Sequence, residues 1–362
     1  MKNPKKILII IQRSNGDVFL SSHLINSLFK YYNSPKIDLL VNDDTLQVAK
    51  LLPNINLIHE FSYIKKNESR WQQEKNLFKK IFRKYDLSIN LTSSDRSVIY
   101  SLVSGRFSIS AIEKNNIKSW WKKLLLQNYY YFELNNHILI NNSEPLKCLK
   151  IEHENVCESP LVSKNIMLQV KSKLVNLGVN EFLIFHPSAQ YNYKIYPTIL
   201  RNQLLKRLSS LGIPIIVTGG SSKVDLRIKK EIPEKENIYN FIGKTSLEEC
   251  FALSKLSLAY IGMDTLNMHV AASYDKTIFA IFGPTNINMW SPWSNKLKRA
   301  TKNNKPTQTY HNITIFQSSY PCEICGLVGC GNNHGMNEIS YSMQPEEVFL
   351  EVSRWYENKL RA

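Results

Sequence analysis

Short aliphatic runs alternate along the chain with longer stretches in which apolar residues recur every three or four positions. Residues 5–12 (KKILIIIQ) read as a buried strand. Residues 17–32 read as a helix with Val18, Leu20, Leu24 and Leu28 on one face. Strand-like runs follow at 36–41, 55–61, 86–91 and 106–111, separated by helical segments near 43–51, 69–84 and 94–102. Strand then helix, repeated, predicts βαβ units and a parallel sheet. The rhythm fails over 114–159, which reads as an insertion and a linker. A second series starts with a helix at 161–177 and continues with strands at 182–186, 213–218 and 237–242 and helices at 196–210, 222–231 and 245–254. Residues 345–360 form a last helix with Pro345 at its first turn. No repeat of solenoid period is present.

The second series converges on residues 257–285. A strand at 257–261 leads through the turn Gly262–Thr265 into a helix at 267–273, and a second strand at 277–282 is stopped by Gly283 and Pro284. In open parallel sheets, ligands bind at the carboxyl ends of strands. The unpaired N–H groups and partial positive charge of a helix start suit a phosphate. Asp264, Thr265 and His269 stand at that mouth.

Composition narrows the classes. The 362 residues suffice for two domains of roughly 100–200 residues each. No run of about 18 apolar residues exists, so no membrane-spanning helix is expected. The basic, then apolar, start MKNPKKILIIIQ passes into RSNGD without a small-residue cleavage site, so it reads as a strand rather than a signal peptide. Six cysteines, three of them clustered, give no secreted disulfide framework and point to a reducing cytoplasm. The net charge of +16 is uneven: residues 1–180 hold 26 Lys and Arg against 15 Asp and Glu, and the remainder hold 20 against 15. That asymmetry fits a phosphate-bearing partner or an anionic membrane surface, and equally a solvated lysine-rich surface.

Four loops at predicted strand ends carry candidate chemistry. The first, residues 12–22, has a single glycine, Gly16, so the G-x-G-x-x-G dinucleotide fingerprint is absent. It does place Asp17 at a helix start, where a carboxylate either caps the helix or serves as a general base. The second, HPSAQYNYKIYP (186–197), offers small residues, Ser188 and Ala189, and then Lys194, a point charge suited to a pyrophosphate or simply an exposed lysine. The third carries Gly219 and Gly220, where backbone can approach a ligand closely. The fourth, GKTSLEE (243–249), reads as a helix cap with acidic residues in the first turn. No D-x-D pair is present to chelate a divalent metal, so lysine and helix dipole would take its place.

Together these loops resemble glycosyltransferase family 9, the ADP-heptose:lipopolysaccharide heptosyltransferases, over nearly the whole chain. Asn15-Gly16-Asp17 is similar to the family's I-G-D entry loop. His186 to Pro197 is similar to H-P-G-A…K-x-W-P, with Tyr196 in place of tryptophan, and Gly243 to Leu247 to G-x-[ST]-S-L. Gly262 to His269 resembles G-N-D-T-G-P-M-H, and Phe282 to Trp293 resembles F-G-P-T…W-x-P. The departures are Leu266 for glycine, Met263 for asparagine, and Ser222 and Lys223 ahead of Asp225 where an acidic residue near the ribose is usual.

The resemblance implies an α/β GT-B fold with two Rossmann-like domains, a central cleft and a C-terminal helix. Residues 1–159 would bind the acceptor and 160–344 the nucleotide sugar, with 345–362 packing back on the first domain. It implies inverting, metal-independent transfer of heptose from ADP-heptose to an inner-core lipopolysaccharide or lipooligosaccharide acceptor, with no cofactor. Asp17 would deprotonate the acceptor. The donor would be bound by Ser188, Lys194, Gly219, Thr245, Asp264, Thr265, Leu266 and His269. The partners implied are the nucleotide sugar, a lipid-linked oligosaccharide and the inner face of the bacterial inner membrane, touched peripherally from the cytoplasm; nucleic acid is not among them. Two other readings remain: the same fold using a hexose or N-acetylhexosamine nucleotide, and a binding module that has lost catalysis, which intact Asp17 and Lys194 oppose.

Two further stretches stand out. Residues 119–132 mix Trp120, Trp121, Lys122 and Lys123 with leucines and tyrosines, the make-up of an interfacial membrane helix or of a helix packing aromatics inward. Cys322, Cys325, Cys330 and His334 have metal-like spacing, and a local cluster of thiols fits as well.

Overall fold

The computed structural model describes residues 3–63, 69–114, 117–190, 194–283, 285–302, 305–317 and 343–361. The chain forms two compact units, Met1–Leu161 and Val162–Ala362. The cysteine and histidine cluster of 322–334 lies outside the described residues.

The first unit runs β1 (Lys6–Ile11), α1 (Asn15–Phe19), α2 (Ser22–Tyr31), β2 (Lys36–Asn42), α3 (Leu46–Ala49), β3 (Leu57–Phe61), α4 (Arg70–Ile81), β4 (Tyr85–Asn90), α5 (Asp95–Ser104), β5 (Gly105–Ile112), α6 (Trp120–Leu125), β6 (Asn128–Tyr131) and α7 (Ile138–Cys148). Its six strands pair in parallel in the order β3-β2-β1-β4-β5-β6. Ile7 to Ile11 are fully buried, as expected of a strand covered on both faces. The single helix expected over 17–32 is two. Ser21 donates from Oγ to the Val18 carbonyl (2.7 Å), drawing a hydrogen bond out of the helical ladder at the break.

Residues 114–159 are not an insertion. Tyr129 to Tyr131 pair with Ser110 to Ile112 as the sixth strand, and α7 packs on α2. The pattern hid them for physical reasons. β6 is four residues long, and α7 carries Pro145 in its interior and buries polar Asn141, Asn142 and Ser143.

The second unit runs α8 (Lys164–Asn176), β7 (Leu183–His186), α9 (Thr198–Ser209), β8 (Ile215–Val217), α10 (Lys223–Glu231), β9 (Ile238–Asn240), α11 (Leu247–Leu256), β10 (Ala259–Met263), α12 (Leu266–Ser273), β11 (Thr277–Phe282), α13 (Ile287–Trp290), β12 (Thr307–Tyr310), β13 (Ile313–Gln317) and α14 (Pro345–Arg361). The sheet order is β12-β13-β11-β10-β7-β8-β9, parallel except for the β12–β13 hairpin. That hairpin lay outside the expected βαβ pattern. It turns on His311, held at φ 54°, and Asn312. Alternate residues of the central strands feed two cores. Leu183 and Ile261 face one, where Leu204 of α9 also lies; Ile184 and Tyr260 face the other, with Met268 and Ala271 of α12.

The last helix packs within its own unit. Val348 and Val352 of α14 are buried in the core of the second unit, Trp355 stacks edge-on to Phe279 at 5.8 Å, and Arg207 of α9 pairs with Glu346 (2.5 Å).

Candidate active site

Each sheet reverses its winding once, and the candidate residues sit at those two points. In the first unit the chain leaves β1 toward β2 and β3, then returns to β4 on the other side. In the second it leaves β7 toward β8 and β9, then returns to β10. At such a reversal the two adjoining loops diverge and leave a crevice at the strand carboxyl ends.

In the first unit that crevice belongs to Asp17. Its Oδ2 accepts from the backbone N–H (3.2 Å) and hydroxyl (2.6 Å) of Ser14, so the carboxylate does cap α1. Oδ1 is different. It is buried and accepts no hydrogen bond among the described residues, while Nε of Arg13 approaches it to 2.9 Å at an angle outside hydrogen-bond geometry. Arg13 is held in turn over the Phe132 ring, 4.5 Å from its centroid. Asn142 of α7 donates to the Asp17 carbonyl (3.4 Å), and the loop after β4 is pinned to the β1 end by Gln12 N–H donating to Thr92 Oγ1 (3.0 Å). Gln12 Oε1, Asn15 Oδ1, Ser22 Oγ and His23 Nε2 are likewise buried without hydrogen-bond partners among the described residues. Buried polar atoms are rarely left so. They fall together between residues 12 and 23 of the chain.

In the second unit the loops after β7 and β10 are joined by a charge pair. Nζ of Lys194 lies 2.7 Å from Oδ2 of the buried Asp264. The pair stands immediately before α12, whose cap residue Thr265 has extended backbone (φ −145°) and makes no side-chain cap bond. Tyr260 donates to the Met263 carbonyl (2.8 Å), which fixes the turn from beneath. Gly262 is required here: a Cβ on it would sit 2.4 Å from the His186 carbonyl oxygen of the paired strand. Leu266 opens α12 half-buried and is not among the residues with positive φ, so the leucine strains no backbone where the family has glycine. His269 is buried behind the pair. Burial, with help from Lys194 and against Asp264, lowers its pKa to about 4, so it is neutral near pH 7.

Other expected donor residues are already committed within the second unit. Ser188 donates its hydroxyl to Asp225, whose other oxygen accepts from Ser222 N–H (3.0 Å) and hydroxyl (2.5 Å). Gly219 lies against Asp225 and Ile242, with room for a Cβ only at 3.2 Å. Thr245 faces Cys250, Oγ1 to Sγ 3.0 Å. Three residues of this region carried no assignment in the sequence reading. His186 closes β7 between Thr218 (Nδ1 to Oγ1, 2.9 Å) and the Asn267 amide (Nε2, 3.2 Å), and burial lowers its pKa to about 4. Asn267 stands in the first turn of α12. Asp225 is the third residue of a capping box, and the S-x-x-D spacing from Ser222 was its sequence signal.

Comparison with known proteins agrees with this architecture. The profile of Glycosyltransferase family 9 (heptosyltransferase) matches residues 135–319, just over half the chain. Lipopolysaccharide heptosyltransferase 3 of Escherichia coli is 28% identical over 298 residues, 79% of this chain and 85% of that protein. Among solved structures, E. coli ADP-heptose lps heptosyltransferase II superposes with a TM-score of 0.70 at 17% identity, covering 98% of this chain and 99% of that one. An E. coli heptosyltransferase solved with ADP-2-deoxy-2-fluoro heptose gives 0.65 at 15% identity, covering 92% and 99%. The two Rossmann-like units and the C-terminal helix are those of the GT-B fold, and the chain belongs to glycosyltransferase family 9, as a glycosyltransferase of the lipopolysaccharide heptosyltransferase type.

Proposed function

We propose that the enzyme transfers heptose from ADP-heptose to an inner-core sugar of a lipid-linked oligosaccharide, with inversion and without a metal. The observation that carries this reading is the Lys194–Asp264 pair at the switch point beside the start of α12. A carboxylate repels phosphate, so Asp264 serves by holding the lysine, and the ammonium and first-turn N–H groups meet the diphosphate. As the sugar–oxygen bond breaks, charge grows on the departing ADP, and these fixed donors stabilise it without rearranging. Asp17 takes the proton of the acceptor hydroxyl on Oδ1, the oxygen its own cap leaves without a hydrogen bond. The choice of ADP-heptose is supported by the fold relative solved with an ADP-heptose analogue.

A different nucleotide sugar is the second reading. Asp225, the nearest acidic residue after Gly220, is fully engaged by Ser188 and Ser222, which leaves the nucleoside end least specified.

A peripheral contact with an anionic membrane belongs to the same proposal. Ile117, Trp120, Leu124 and Leu125 are exposed around α6 (91, 65, 73 and 53%), beside Lys118 and Lys123. Lys122 is not part of that surface, being buried on the Ser93 carbonyl (2.7 Å) and Asp95 (2.7 Å).

Thermal unfolding with ADP, ADP-heptose and UDP-N-acetylglucosamine tests the donor. A ligand at a hundredfold excess over its Kd stabilises by about 2.7 kcal/mol. ADP and ADP-heptose should raise the melting temperature; a rise with the UDP-sugar alone overturns the assignment.

A further inference from the structure

The first unit holds a polar cavity at the opposite end of its sheet from Asp17. It measures 780 Å³ and is formed by the amino ends of β1, β2, β3 and β4 and by α4 with the residues that follow it. Lys6, Lys36, Lys80 and Lys84 line it, against two carboxylates, Asp38 and Glu60. Asp38 is committed elsewhere: Asn56 donates to its Oδ1 (2.7 Å) and the Tyr85 hydroxyl to its Oδ2 (2.8 Å). The Tyr85 oxygen also contacts His59 Nε2 (2.7 Å). Tyr85 has one proton and gives it to Asp38, so His59 donates at Nε2. The floor of the cavity is thus a hydrogen-bonded chain that runs from the exposed Asn56 through buried Asp38 and Tyr85 to buried His59, and the lysines are left over.

None of the four lysines makes a side-chain ion pair or hydrogen bond among the described residues. Lys80 in the last turn of α4 complements the helix dipole, but Lys6 and Lys36 begin strands and Lys84 follows the helix, so the dipole does not account for them. Lys80 and Lys84 are close enough to His59 to disfavour its protonation. Four unpaired ammonium groups around one cavity repel each other, and an anion placed among them removes that repulsion. Lysine is a compact point charge that meets phosphate oxygens without demanding planar geometry.

We infer that this cavity is an anion site of the first unit, taking a small ligand that carries two or more phosphate groups. It does not depend on which sugar the enzyme transfers. Two sources share that chemistry, a free polyphosphate and a phosphorylated sugar, and two probes separate them: inorganic tripolyphosphate and glucose 1,6-bisphosphate. Titration calorimetry of the full chain at about 0.15 M salt, where diffuse surface attraction is screened beyond about 8 Å, compares the wild type with K80A/K84A and with K164A/K171A. The last pair removes the same charge from α8, where Lys164 and Lys171 are exposed as Lys80 and Lys84 are, but away from the cavity. At least one probe should bind, K80A/K84A should weaken it tenfold or more, and K164A/K171A should change it less than twofold. The tighter probe identifies the source. Absence of binding by both probes, or equal weakening by the two double variants, overturns the site.

Discussion

At the scale of single residues, the proposed donor half-site rests on Lys194 and the carboxylate beneath it. Asp264 has a side chain 3% exposed and pairs with Lys194. Replacing Lys194 with methionine removes the proposed phosphate contact and leaves the buried Asp264 charge uncompensated, which costs about 3 kcal/mol. Lys194→Met should therefore lose ADP stabilisation and melt lower by itself, while Lys194→Met combined with Asp264→Asn should recover stability and not binding. Calorimetry in the absence and presence of ADP reads both. Two departures from the family pattern touch one another here. The backbone N–H of Tyr196, which replaces tryptophan, donates to the sulfur of Met263, which replaces asparagine (3.4 Å), and the Tyr196 hydroxyl donates to the Met343 carbonyl (2.5 Å). That Asp17, Lys194, Asp264 and His269 sit at strand ends and helix starts was legible in the sequence, because turn chemistry is local. What holds them was not legible. Arg13 on Phe132, Asn142 on the Asp17 carbonyl and Asn267 on His186 are contacts between residues distant in the chain or invisible to spacing.

At the scale of elements, the pairing of β7 with β10 decides whether the two donor loops meet. Gly262 lies in that ladder opposite His186. Gly262→Ala forces a methyl against a strand carbonyl, and overpacking of this kind costs about 1–3 kcal/mol. A lowered unfolding midpoint together with weaker ADP binding is expected; wild-type values for both would show that the strands have slack. The surface around α6 makes a separate prediction. Trp120→Ser with Leu124→Ser should reduce co-sedimentation with vesicles containing phosphatidylglycerol severalfold and leave the melting temperature nearly unchanged, since both side chains are exposed. Unaltered sedimentation would remove α6 from the membrane contact. Long strands and amphipathic helices were legible because a continuous aliphatic run or a 3.6-residue period is set by burial itself. β6 and α7 were not, since a four-residue edge strand and a helix with an internal proline and buried amides carry no such period.

At the scale of the whole molecule, buried histidines couple stability to pH. His23, His186 and His269 each have a pKa lowered from 6.5 to about 4, mainly by burial; repulsion from His153 adds to the effect at His23. The unfolded chain therefore binds more protons than the folded one between about pH 6.5 and 4. Their contribution is fully present above pH 6.5 and is lost as the pH falls through that window. Urea unfolding at pH 7.5, 6.0 and 5.0 should show a steady fall in stability below 6.5, and a flat or rising profile would mean that these rings are accessible to protons in the fold. Two βαβ series and a family resemblance made the α/β architecture readable in advance, whereas the seat of α14 was not, because an amphipathic helix states that it has an apolar face and not which core receives it.

The base assignment is the center of the proposed mechanism, and Asp17→Asn tests it most directly. Asparagine keeps an oxygen for the Ser14 cap and removes the basicity of Oδ1. Transfer from ADP-heptose measured under single turnover should fall by about 10²–10⁴-fold, with ADP affinity within twofold of wild type. Transfer at the wild-type rate would contradict the role of Asp17.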